Sequence, residues 1–116
     1  MESIEKIIED KVKNYIFARE KFAELLKRIV EKGKEIGITE RTQGNHISAA
    51  VKISKDCKNP YRVLLGITEA YEQSEDQNRC RRVINDIEIV YYEKKAKGER
   101  LEEFEIGTLI GTIHFN

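Results

Sequence analysis

The chain is 116 residues long, enough for one domain with a core of its own and no need of disulfides or a metal to fold. Hydrophobic residues at 40% place it among globular proteins, and charged residues at 36%, well above the usual quarter, predict a surface laced with ion pairs. Lys plus Arg and Asp plus Glu balance at 21 each, which excludes a global field drawing polyanions or acidic membranes to the protein.

The N-terminus, MESIEKIIED, is charged from its second residue, and no apolar run approaches the roughly 20 residues of a membrane span. A cytoplasmic protein without a membrane role is expected. The excess of Lys and Glu, the lack of Trp and the single Pro point to a heat-adapted source. Cys57 and Cys80 match no ligand-spaced or redox pattern and are expected to be free thiols.

From Ser3 to Ile36 the pattern is helical. Ile8, Tyr15, Phe22, Ile29 and Ile36 recur every seven residues, and Ile4, Val12, Leu25, Leu26 and Val30 share their side. Ser3 is the expected N-cap; Gly33 and Gly37 are the candidate stops. One continuous helix over this stretch would be roughly 45–50 Å long.

Beyond Gly37 the period reads as two. His46 to Ser54 alternates, with Ile47, Ala49, Val51 and Ile53 on one face. Tyr61 to Gln73 is read as a second strand, with Val63, Leu65, Ile67 and Tyr71 in phase. A rival reading stands beside it: Asn59 as N-cap and Pro60 as first helical residue would open a helix here. Ser74 with Gln77 resembles a capping box for a single helical turn. Val83 to Lys94 is the next strand, with Ile87, Ile89 and Tyr91 inward. KAKGER (Lys95 to Arg100) is a hairpin loop, and Leu101 to Phe115 the last strand, bent at Gly107. The expected fold is therefore α+β: a long N-terminal amphipathic helix, about 3–36, packed on a curled four-stranded antiparallel meander sheet, about 45–116, in a single domain. GITE occurs at Gly37–Glu40 and again at Gly66–Glu69, a coincidence of composition without a wider repeat.

No nucleotide-binding, nucleophile-elbow or metal-protease motif is present, and no cofactor or metal is expected. The residues that could carry chemistry are few. His46 and His114 would approach each other if the sheet curls strongly, as polar groups of a pocket; two unrelated surface histidines is the plainer reading. Arg19 falls within the apolar face of the helix, where it would bind an anion or make a structural ion pair. Phe17 lies on the charged side, a contact for another subunit or a protein partner. Arg79, Arg81 and Arg82 form the dense basic run, a weak nucleic-acid contact or simply solvated surface. Three functions follow in order of preference: a non-enzymatic homo-oligomeric interaction module using sheet edges and the overhanging helix, a small-ligand or enzymatic pocket inside the sheet, and weak nucleic-acid binding.

Overall fold

The computed structural model of the protein describes residues 3–12 and 19–115, with backbone only at positions 12, 110 and 112–115. Among the described residues there is no strand. Six helices follow one another: α1 (Ile4–Val12), α2 (Arg19–Glu35), α3 (Glu40–Lys55), α4 (Pro60–Gln73), α5 (Gln77–Ala96) and α6 (Glu103–Phe115). The expected α+β fold with its antiparallel sheet is thus replaced by an all-helical one.

Several helix ends rest on local chemistry. Ser3 Oγ accepts from the Lys6 amide at 3.2 Å and opens α1. Thr39 caps α3 through the Thr42 amide, Asn59 with Pro60 opens α4, and Asp76 Oδ1 accepts from the Arg79 amide at 2.9 Å to open α5. Two helices close in the same way. Gly37 (φ 82°) lets Ile38 N–H reach Gly33 O at 2.8 Å, while Gly37 N–H bonds Lys34 O. Gly98 (φ 73°) lets Glu99 N–H reach Lys94 O at 2.9 Å, while Gly98 N–H bonds Lys95 O. Both are Schellman closures, which need the left-handed backbone that glycine adopts without steric cost.

Successive helices reverse direction, and each packs on the next and on the next but one. Phe22 against Tyr61 and Arg28 against Glu72 set α2 parallel to α4. Lys52 against Tyr92 and His46 beside Arg81 set α3 parallel to α5. The result is two layers, α1–α3–α5 over α2–α4–α6. The overall extents of 34 × 33 × 22 Å fit this, as two layers of helices about 10 Å thick give the short dimension and three abreast a long one. The connectivity is that of stacked helical hairpins, without a sequence repeat. The single core lies between the layers: Leu26, Ile29, Ile47, Ala50, Leu64, Ile67, Tyr71, Val83 and Ile87 are fully buried within it.

The N-terminal stretch expected as one long helix is described as α1 and α2, with 13–18 outside the described residues. Ile4 and Lys34 line the same groove, and the longest extent is 34 Å, so α1 folds back along α2 and no helix overhangs among the described residues. The four expected strands are α3, α4, α5 and α6. For 60–73 the rival helical reading is the right one. At α3 the strand reading fails because this central helix packs on α1, α2, α4 and α5, so burial spreads over more than half its circumference. Ile47, Ala49, Ala50, Val51 and Ile53 are all inside, which masks a period of 3.6. At α5 the expected inward trio divides: Ile87 and Tyr91 are 0% and 4% exposed, but Ile89 is 57% exposed. Gly107 is a residue within α6, not a bulge; Ser74 closes α4, and Asp76 rather than Ser74 caps the helix that follows, α5, whose first residue is Gln77.

Candidate functional site

Three places in the array hold polar or reactive groups, and their geometry decides what each can do. The first is buried between α3 and α4. His46 Nδ1 lies 3.0 Å from Tyr71 Oη, with the two rings edge-on at 5.6 Å. Burial, reinforced by the charge of Arg81, lowers His46 to about 4. Burial likewise pushes the Tyr71 hydroxyl far above its ordinary value. Cys80 Sγ sits 3.5 Å from Tyr71 O, and burial raises its thiol as well. Beside this cluster Gln43 rests on Gly33, its Nε2 donating to Val30 O at 3.2 Å. These groups are enclosed and uncharged at neutral pH, and they pin helices together.

The second is a cleft of about 360 Å³ where the end of α3 meets the α5–α6 turn. Tyr91 Oη donates to Asp56 Oδ2, and Lys95 Nζ stands 3.4 Å from Tyr91 Oη and 3.7 Å from Asp56. Cys57 lines the cleft but donates its S–H to Ile53 O and Leu101 O, both at 3.3 Å. Burial, then the negative charge of Asp56, pushes the thiol up to about 11, so it stays protonated at neutral pH. The expectation of free cysteines holds. What closes these thiols off is burial in different parts of a helical core.

The third is surface. Among the described residues the exposed large hydrophobics are Ile89 (57%), Tyr92 (44%) and Phe104 (73%), all on the last hairpin, α5–α6. Phe104 is on the outward side of α6, next to exposed Gly107 and Thr108; Ile106, on the inward side, is buried. Glu105 holds α6 in this orientation, with Oε2 2.6 Å from Lys94 Nζ on α5 and Oε1 accepting from the Glu102 amide at 3.3 Å. From Ile106 to Phe115 the sequence carries no Asp, Glu, Lys or Arg.

The residues singled out in the sequence fall as follows. Arg19 is the first residue of α2 and is exposed, on the rim of the groove between α1 and α2 that Glu5, Glu9 and Glu20 also line, so it is not buried in an apolar face. His46 is buried as described, and His114 lies in the last turn of α6, its side chain outside the described residues. Phe17 also lies outside them. Arg79, Arg81 and Arg82 occupy the first turns of α5; Arg81 and Arg82 are exposed, and Arg82 Nε is 3.6 Å from Asp86 Oδ2. The structure therefore does not bring Arg19 and His46 to one pocket. Among the described residues no group of three His, Cys, Asp or Glu side chains is placed to hold a metal ion, and no helix is long and apolar enough to cross a membrane. Sequence reading missed Ile89 and Phe104. The signal available for Phe104 was the uncharged run that follows it.

Comparison of the chain with protein-family models, with curated proteins and with solved structures finds no match in any of the three.

Proposed function

We propose that this protein is a non-enzymatic interaction module that pairs with a second copy through the outer side of its α5–α6 hairpin. The observation that carries the reading is that, among the described residues, the exposed large apolar side chains all lie on that hairpin. Stacked helical hairpins need a polar face at each end to remain single, and exposed apolar ends seek a partner. A second copy suits the face because it carries both a projecting ring, Phe104, and a flat neighbour, Gly107, whose surroundings are open. Paired about a two-fold axis, each copy offers the shape the other needs. The end of the array spans 34 by 22 Å at most. Such a face, at most on the order of 750 Å², is large enough to be compared with the ~800 Å² that each partner of a standard interface buries. The neutral, enclosed state of His46, Cys57 and Cys80 favours binding over catalysis. With no strands described, subunit contact by sheet edges is withdrawn in favour of helix faces.

Sedimentation velocity over a concentration series tests the pairing. Wild type is expected to shift from monomer to dimer. Phe104→Glu is expected to weaken the dimer at least about ten-fold, since burial of an aromatic ring is worth ~1.5–3 kcal/mol. A wild type that stays monomeric into the millimolar range contradicts the reading.

A further inference from the structure

The layer α1–α3–α5 has an outer face that the proposed pairing leaves uncovered. On α3, its central helix, Arg41, Asn45, Ser48, Lys52 and Lys55 recur at i, i+4, i+7, i+11 and i+14, which places all five on one narrow stripe. The stripe has three cations and no acid. It runs about 21 Å along the helix axis at 1.5 Å per residue. Lys11 on α1 and Glu88 on α5 form the walls, and a cleft of about 540 Å³ opens between them over Ala49 and Val51.

We propose that this groove binds an extended acidic segment of a protein partner. Charge complementarity sets the class: cations along the stripe meet side-chain carboxylates, while the Asn45 amide and the Ser48 hydroxyl at its centre suit main-chain N–H and C=O groups. Two features favour a polypeptide over a nucleic acid. The Ala49–Val51 floor takes apolar side chains. The nearby aromatic ring, Tyr92, is 44% exposed but engaged, as Lys52 donates to its hydroxyl at 2.7 Å and lies 5.3 Å from its centroid, which makes it a poorer platform for base stacking. The groove lies on α3 and its walls, whereas Phe104 lies on α6, so acidic-segment binding stands or falls separately from self-pairing.

Fluorescence anisotropy with a labelled eight-residue polyglutamate peptide, about 26 Å when extended, tests the proposal on the full chain. Saturable binding that weakens as salt is raised is expected. The pair Arg41→Glu, Lys52→Glu should weaken it at least about ten-fold, as reversing two exposed ion-pair partners costs more than the ~1 kcal/mol of losing one. Lys21→Glu, on the opposite layer, changes the net charge in the same direction and should bind as wild type does. Both paired side chains are exposed, so circular dichroism and the melting midpoint should report a folded variant; if they do not, Arg41→Gln, Lys52→Gln replaces it, with a smaller loss of the same sign. Phe104→Glu should leave peptide binding intact. Absence of saturable binding, an affinity indifferent to the Arg41–Lys52 pair, or tighter binding of a twelve-nucleotide oligothymidylate than of the peptide would each overturn the proposal.

Discussion

At the N-terminal end of the array, Ile4 and Ile8 are turned inward, 3% and 4% exposed, and the rim above them carries charges of both signs from Glu5 through Arg19 and Lys27 to Lys34. At the C-terminal end, Ile89 and Phe104 point outward with more than half of their surface in water. Among the described residues, one end carries mixed charges around an apolar groove and the other carries large apolar side chains exposed to water. In a stack where every helix packs on the next and the next but one, interior helices have partners on both sides and terminal ones on one. The sequence of the terminal hairpin therefore decides whether the stack stops. Under the proposed pairing, the exposed side chains of α5–α6 are what a second copy would cover.

The largest effects should come from breaking the difference between inside and outside on α5. Ile87→Ala is expected to cost about 2–5 kcal/mol of stability, as for other buried large-to-small changes. Ile89→Ala, two residues away, should stay within about 0.5 kcal/mol when measured on the monomer. Urea unfolding at low concentration distinguishes them, and equal losses at the two positions would restore the inward-facing strand.

The middle of the array should be acid-sensitive. His46 titrates near 4 in the folded protein and near 6.5 when unfolded, so folding favours its neutral form. Its contribution is complete above pH ~6.5 and is lost as the pH falls towards 4, a loss of about 3 kcal/mol at full protonation. Unfolding free energy measured from pH 7 to 4.5 should fall for wild type and stay flatter for His46→Gln, which takes up no proton. Parallel curves would contradict the assignment.

A smaller effect is expected at Gly33, where a Cβ would stand 2.5 Å from Gln43 Nε2. Gly33→Ala should destabilise by about 1–2 kcal/mol, because disturbing the buried Gln43 amide outweighs a helix-propensity gain of up to ~1 kcal/mol. Thermal melts of Gly33→Ala with and without Gln43→Ala would show the coupling. A simple gain in stability in the single variant would show that Gln43 moves aside freely.

The parts of this fold that could be read from sequence are those governed by local chemistry. Ser3 and Gly37 act where their side chains or lack of one predict, and Asn59–Pro60 opens a helix. The two GITE segments show where local reading stops. At Gly37–Glu40, Gly37 closes α2 and Thr39 caps α3; at Gly66–Glu69 the same four residues continue through the middle of α4. Tertiary packing separates the two cases. On α3 the informative period belonged to the polar residues, Arg41 through Lys55, because the apolar ones cover too much of the helix to show a face. On α5 the exposed Ile89 made a helical pattern of Val83, Ile84, Ile87 and Tyr91 look like alternation. Arg19 and His46 were reasonable candidates only for a cavity that a curled sheet would enclose. Phe104 was hard to place because, with Glu103 and Glu105 on either side of it, nothing local says which way it points until its helix is set against α5.

Hydrogen exchange followed by mass spectrometry, with wild-type protein at low micromolar and at near-millimolar concentration, tests the difference between the two ends most directly. The account predicts that raising the concentration slows exchange in peptides covering 85–96 and 103–115 and leaves those of α1 and α2 unchanged, and that Phe104→Glu abolishes the slowing. Slowing confined to α1–α2, or none at any concentration, would contradict it.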